Sequence, residues 1–307
     1  EYSKFLQQKQ SVFLELKNLW YELQEINGQI EIHEENLNLL QTLEALSTTI
    51  FKNGKGKMSD VLRIGILIND VNTRIKILRL MKNPLIADLK YILNRPQSSE
   101  LTMDLKPLVL DSTKFEIPTW TSSFNPELMS LQKQAASLEQ KKVWVNKKGN
   151  PAMGLGLNYI VVGEEPNAGF QTGDDAIMPS IRVSIPIYRS KYKAEVSEVS
   201  KEQEAVIRLE KSARNQLESK YQAAVADLQT VKEKIIFYQD QIKRSHDVIA
   251  LLEKEYENSA NGFEEIITIE QNLLDYQIHL LGSKKQLLQA LAQIEYLKGG
   301  TDYEKNK

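Results

Sequence analysis

The sequence predicts a mainly α-helical chain built from two long coiled-coil hairpins with one β-hairpin between them. Three observations carry that prediction. The first is a duplication: residues 12–92, shifted by 205 positions, fall on 217–297 without a gap and keep the same apolar skeleton. The second is the period. Val12, Leu16, Leu19, Leu23, Ile26, Ile30, His33, Leu37 and Leu40 follow alternating steps of four and three, continued by Glu44, Ser47 and Phe51. Leu217, Tyr221, Ala224, Leu228, Val231, Ile235, Tyr238, Ile242 and Ser245 repeat it, ending on Ile249, Leu252 and Tyr256. A strict seven-residue repeat keeps one seam turned to a partner helix, which is coiled-coil geometry. The third is the stretch 151–189, where apolar and small or polar residues alternate with the period of a strand.

In chain order, residues 1–51 read as one helix, on the order of 75 Å long at 1.5 Å per residue. The run Lys52-Asn53-Gly54-Lys55-Gly56-Lys57 breaks it, and Ser59-Asp60 offers a capping start for the next helix. That helix returns through about residue 93, with Pro84 expected to kink it, and Asn94-Arg95-Pro96 ends it. Residues 1–93 are therefore a first hairpin with its tip near 52–59. Residues 94–124 form an irregular segment with short extended pieces, Leu108-Val109-Leu110 and Phe115-Glu116-Ile117. Asn125-Pro126-Glu127 opens a helix over 125–148, with proline at its first position. The β-hairpin occupies 149–189. A second long helical hairpin spans 190–299 and turns near 258–264, at Ser259-Ala260-Asn261-Gly262; a tail, 300–307, follows.

Within the β-hairpin, Met153, Leu155, Leu157, Tyr159 and Val161 share one face with Ile181, Val183, Ile185 and Ile187. Asn158, Arg182 and Ser184 lie on the other. Two strands of about ten residues, aliphatic on one side and small or polar on the other, fit a membrane β-barrel whose apolar side meets lipid. A hairpin resting one face on a soluble core alternates in the same way. The chain offers no independent core nearby to cover the aliphatic face, which favours lipid.

Composition narrows the function. A net charge of −2 and a pI near 6.1, without a basic stripe on any helix, give no reason to expect nucleic acid. With no cysteine, disulfides, thiolate metal sites and cysteine nucleophiles are excluded. No apolar window approaches the ~20 residues of a transmembrane helix. No signal peptide is visible, and the duplication leads us to expect the first copy's preceding strands upstream of Glu1. His33, His246 and His279 lack ligand-like spacing, and the six methionines are scattered. Paired carboxylates such as Glu34-Glu35, Glu264-Glu265 and Asp174-Asp175 read as solvated helix and loop faces, with no pair expected in an apolar pocket. Gly154-Leu155-Gly156 sits inside an alternating strand rather than opening a helix, so it is not a phosphate loop. No catalytic residue, metal or cofactor is expected.

The pattern as a whole resembles the TolC-type outer-membrane factors, the exit ducts of bacterial efflux pumps and type I secretion systems. The residues that carry the resemblance are Asn125-Pro126-Glu127-Leu128, the strand from Pro151, Pro179-Ser180-Ile181-Arg182-Val183-Ser184-Ile185-Pro186-Ile187, the turn Asn261-Gly262 before Ile266-Ile267, and the closing Ile294-Glu295-Tyr296-Leu297-Lys298-Gly299. The resemblance covers essentially the whole chain. It implies a homotrimer in a Gram-negative outer membrane with a periplasmic extension: the strands join a shared β-barrel in outer-membrane lipid, and the long helices line an α-barrel tunnel. It also implies a periplasmic adaptor and an inner-membrane pump as partners. Adaptor docking is expected at the helical tips, on Gly54, Gly56, Ser59, Asp60, Asn261 and Gly262. The resemblance further implies a periplasmic gate, for which Glu264, Glu265 and Glu270 are the acidic residues nearest the tip.

A coiled-coil scaffold, or a periplasmic adaptor with a soluble β insert, is the alternative. An adaptor would place strands beside a single helical hairpin, whereas here two hairpins flank the strands.

Overall fold

The computed structural model describes residues 2–105, 108, 119–120, 125–161, 174–259 and 262–300. The extended pieces expected at 109–110 and 115–117, most of the loop between the strands, Asn261 and the tail 301–307 lie outside them. The elements in order are α1 (Tyr2–Lys52), α2 (Met58–Ile92), α3 (Pro126–Lys148), β1 (Ala152–Ile160), β2 (Ala176–Ser184), α4 (Arg189–Ser259) and α5 (Phe263–Lys298). The chain is thus mainly α-helical, with long helical hairpins and a two-stranded antiparallel sheet. It divides into two compact units, Glu1–Pro126 with Gln216–Lys307, and Glu127–Asn215.

In the first unit the seven-residue seams become the core. Leu23, Ile26, Ile30, His33, Leu40 and Ser47 of α1 are buried, as are Ile64, Val71, Ile75, Leu78 and Leu89 of α2. On α4 every seam position from Leu217 to Tyr256 is at least half-buried. Phe51 departs from the expected seam: it is exposed, while Ile50 and Leu43 are buried instead. α1 packs against both α2 and α5, so its buried stripe serves two partners and is wider than a single coiled-coil seam. Polar contacts fix the stagger. Arg79 reaches Glu34 at 2.7 Å, Lys285 reaches Glu25 at 2.7 Å and Lys17 reaches Glu295 at 2.6 Å. Gly28 lies so close to Leu281 that a Cβ there would stand 2.9 Å from its side chain.

Three helices of this unit end in the same way. At the end of α1, Gly54 has φ +72°, its N–H donates to Phe51 O at 2.9 Å, and the Lys55 N–H donates to Ile50 O at 3.1 Å. That is a Schellman cap with glycine in the left-handed position, and it answers carbonyls the helix leaves unpaired. Asn94 (φ 51°) closes α2 with the same bond pair, and Gly299 closes α5. The start of α2 differs from the sequence expectation. Lys57 is the N-cap, in extended conformation, and no side chain caps the helix. Ser59 and Asp60 lie inside the first turn, past the cap position: Ser59 Oγ donates to Asp60 Oδ1 at 3.3 Å, and the Asp60 carboxylate complements the helix dipole.

In the second unit, α3 and the first part of α4 close on Leu128, Val145, Val199 and Val206, all buried. Val199, Val206 and Ala213 are seven apart, so the coiled-coil period begins well before the duplicated region. Lys141–Glu202 at 2.9 Å and Gln132–Glu210 at 2.9 Å line the same seam. Among the described residues no helix is long and apolar enough to cross a membrane.

Candidate functional site: helical tips and exposed strands

Both helical turns expected to dock a partner belong to the first unit, and the core runs up to them. Ile50, Ile64, Tyr256, Phe263, Ile266 and Ile267 are part of one buried cluster. Tyr256 and Phe263 pack with ring centroids 5.6 Å apart. Arg63 bridges to Glu264 at 2.9 Å, linking the start of α2 to the start of α5.

The tip residues then divide. Gly54 is exposed, and a Cβ there would meet nothing within 4 Å; its left-handed backbone is what favours glycine. Gly56 is half-buried, and a Cβ would press on Ile50 Cγ2 at 3.0 Å and on the Phe51 amide nitrogen at 3.2 Å. Its glycine therefore answers to its own helix end. Ser59 is exposed and Asp60 half-buried. Gly262, also left-handed (φ 85°), is the N-cap of α5, and its carbonyl accepts from the Ile266 N–H at 3.0 Å. Asn261 lies outside the described residues.

The three acidic residues considered for a gate are not brought together. Glu264 and Glu265 are exposed in the first turn of α5. Glu270 is 3% exposed, inside the helical packing, with Oε1 unpaired. Burial, and then the like charge of Glu253, push its carboxyl up to about 7. Glu270 thus stands apart from Glu264 and Glu265, a single carboxyl withdrawn from water. A signal was present, since Glu270 lies four residues after Ile266 and three before Leu273, on the buried face of α5.

The β-hairpin carries the most distinctive surface. Its register pairs Met153 with Val183, Leu155 with Ile181, Leu157 with Pro179 and Tyr159 with Ile177. Directly opposed residues share a face, so these eight stand together. The other face holds Ala152 with Ser184, Gly154 with Arg182, Gly156 with Ser180 and Asn158 with Met178. Every residue of both strands is exposed, Leu155 at 86%. Tyr159 donates from its hydroxyl to Asp175 at the far end of the pair. The strands are shorter than expected. Val161, Ile185 and Ile187 fall just outside them; at the end where Ala152 pairs with Ser184, Pro151 and Pro186 have no N–H to extend the ladder. All three side chains are exposed.

Comparison with solved structures addresses the fold. The chain is similar to the MtrE outer-membrane channel of Neisseria gonorrhoeae in its open state, with TM-score 0.77 and 16% identity over 97% of this chain and 68% of that one. It is similar to CusC, described with transmembrane channel formation, at TM-score 0.78 and 15% identity over 97% and 70%. Its fold is that of a TolC-type outer-membrane factor. The outer-membrane protein VceC of Vibrio cholerae matches this fold as well, at TM-score 0.74 and 12% identity over 97% of this chain and 72% of its own. No protein-family model matches the sequence, and no curated protein matches it. At these identities the outer-membrane-factor likeness is one of architecture.

Proposed function

We propose that the protein is a passive exit duct of the outer membrane, working as a homotrimer in a tripartite efflux pump or type I secretion system. The observation that carries this reading is the register of the β-hairpin. It gathers Met153, Leu155, Leu157, Tyr159, Ile177, Ile181 and Val183 on one uncovered face and leaves the other small or polar except for Met178 and Ile160 at one end. Nine residues per strand, at about 3.3 Å each, run roughly 30 Å; at a barrel tilt of about 40° they rise roughly 23 Å, close to the ~25 Å apolar band of an outer-membrane barrel. Tyr188 and Trp144, both exposed, stand near one end of the strands and Tyr159 near the other, where a barrel keeps its aromatic girdles. β1 and β2 pair only with each other among the described residues, so both outer edges carry free backbone groups. In hydrocarbon those groups need strands from other hairpins, which a closed trimeric barrel supplies.

In this reading Asn158, Arg182 and Ser184 face a watery lumen, and the aliphatic set, with Val161, Ile185 and Ile187 flanking it, faces lipid. The tips at Gly54, Gly56, Ser59, Asp60, Asn261 and Gly262 meet the hairpins of a periplasmic adaptor, itself bound to an inner-membrane pump. Glu264 and Glu265, three copies of each, place negative charge at that end. The transported molecule is chosen by the pump.

Reconstitution in planar bilayers tests the proposal. The purified protein is expected to need detergent, to migrate as a trimer and to give discrete conductance steps. A protein that stays monodisperse without detergent and gives no conductance would instead be a soluble coiled-coil scaffold.

A further inference from the structure

α1, α2 and α5 of the first unit enclose a cleft of about 430 Å³ lined by both His33 and Glu270. His33 is 4% exposed, and neither ring nitrogen has a hydrogen-bond partner; Glu270 is 3% exposed, with Oε1 unpartnered. Buried polar atoms are nearly always paired, so two such groups on one cleft mark a place shaped for something that supplies the missing bonds.

The charges around the cleft select the sign of that ligand. α2 contributes Asp70 and Arg74, α5 contributes Asp275 besides Glu270, and Glu253 of α4 acts on Glu270 through its charge. Four carboxyl groups against one guanidinium favour a cation. Among the described residues no three His, Asp or Glu side chains converge to hold a metal ion, so the cation must bring its own bulk. The remaining walls are mixed, with Leu40, Leu67, Val71 and Ile267 as an aliphatic part beside the amides of Asn36, Gln271 and Asn272. An ammonium head with a short alkyl tail satisfies all of these features.

We propose that the His33–Glu270 cleft binds a small organic ammonium ion, with the Glu270 carboxylate as counter-ion and a His33 ring nitrogen accepting one of its N–H bonds. Glu270, pushed up to about 7, is then shared between a proton and the ammonium group. His33 is held below its ordinary value, chiefly by burial and then by Arg74, so its imidazole is neutral at pH 7 and keeps a lone pair to offer. Binding and proton release are coupled at one carboxylate. The site needs only the first unit and stands whether or not the protein is a duct.

Calorimetric titration of the whole detergent-solubilised protein with n-butylammonium chloride provides the test. Saturable binding is expected near pH 8. Near pH 5.5 it should be roughly thirty-fold weaker, because the ionised fraction of a carboxyl titrating at about 7 falls from about nine-tenths to about 3%. Glu270→Gln should abolish binding at both pH values, and Glu233→Gln, on the exposed face of α4, should leave it unchanged. n-Butanol, the neutral probe of the same length, should show no pH dependence. Equal affinity at both pH values, retained binding in Glu270→Gln, or no saturable heat near pH 8 would each overturn the proposal. Should Glu270→Gln fail to fold, the pH dependence of the wild-type protein and its contrast with n-butanol decide alone.

Discussion

Ser47 Oγ and Tyr256 Oη meet at 3.0 Å in a buried contact between residues 209 apart in sequence. One sits near the end of α1 and the other near the end of α4, so a single bond ties together the approaches to both helical tips. Each hydroxyl has lost water and depends on the other. Tyr256→Phe should leave the Ser47 hydroxyl buried and unmatched and cost about 1–3 kcal/mol in urea unfolding. The double variant Tyr256→Phe/Ser47→Ala should cost clearly less than the two single variants together. Strict additivity would show that the hydroxyls do not act as a pair.

Glu270 and His33 make the first unit pH-sensitive in opposite directions. The folded Glu270 carboxyl is pushed up to about 7, above its unfolded value, so its contribution is fully present below the unfolded value and is lost as pH rises towards 7. His33 is lowered on folding, so its contribution is present above the ordinary histidine value and is lost as pH falls through the folded one. The two losses run in opposite directions over overlapping pH ranges and offset each other in the wild-type protein, so the Glu270 contribution is read by comparing the wild type with a Glu270 variant. Glu270→Gln should remove the alkaline loss, worth up to about 3 kcal/mol, and leave the variant more stable than wild type at pH 8. A Glu270→Gln variant no more stable than wild type at pH 8 would contradict this.

Leu157 and Asn158 are neighbours on β1 at nearly the same depth but on opposite faces. In a barrel whose aliphatic side meets lipid, Leu157→Arg should destabilise by about 2–4 kcal/mol, whereas Asn158→Arg should cost far less. Folding into liposomes from urea gives both values. Equal tolerance would mean that the two faces see the same medium.

Gly54 allows docking to be separated from folding. Asparagine tolerates the left-handed backbone and caps α2 in this same chain at Asn94, so Gly54→Asn should keep the turn while adding an exposed side chain. Trimer yield should stay normal, while adaptor pull-down and transport fall. Gly54→Val, strained at a φ of +72°, should lose about 1–2 kcal/mol of stability besides. Normal transport in Gly54→Asn would remove this turn from the interface.

Periodicity made the helices legible. The seven-residue steps located the buried stripe of α4 from Leu217 to Tyr256, and the alternation at 153–159 and 177–183 anticipated which strand residues share a face. A linear pattern does not report the number of partners a helix meets, so Phe51 was placed in the core and Leu43 was not. Nor does it distinguish a glycine needed for its own backbone, such as Gly54, from one crowded by a neighbour, such as Gly56. The largest omission was Glu270. Charged residues are ordinarily assigned to water, and only the packing of α1, α2, α4 and α5 around this position shows that water has been excluded.

Pro179 stands opposite Leu157 in the middle of β2. Its nitrogen carries no hydrogen, so the β1 ladder stays intact only if position 179 turns that nitrogen outward, to the free edge of the hairpin. A newly made protomer with two open edges and an aliphatic face has the makings of runaway strand stacking. A strand that lines up along the outer edge of β2 finds no donor at its midpoint. The proline thus weakens that edge for every newcomer, the next strand of a closed barrel included, so closure there has to rest on the remaining bonds and on the hairpin that holds the neighbour in place.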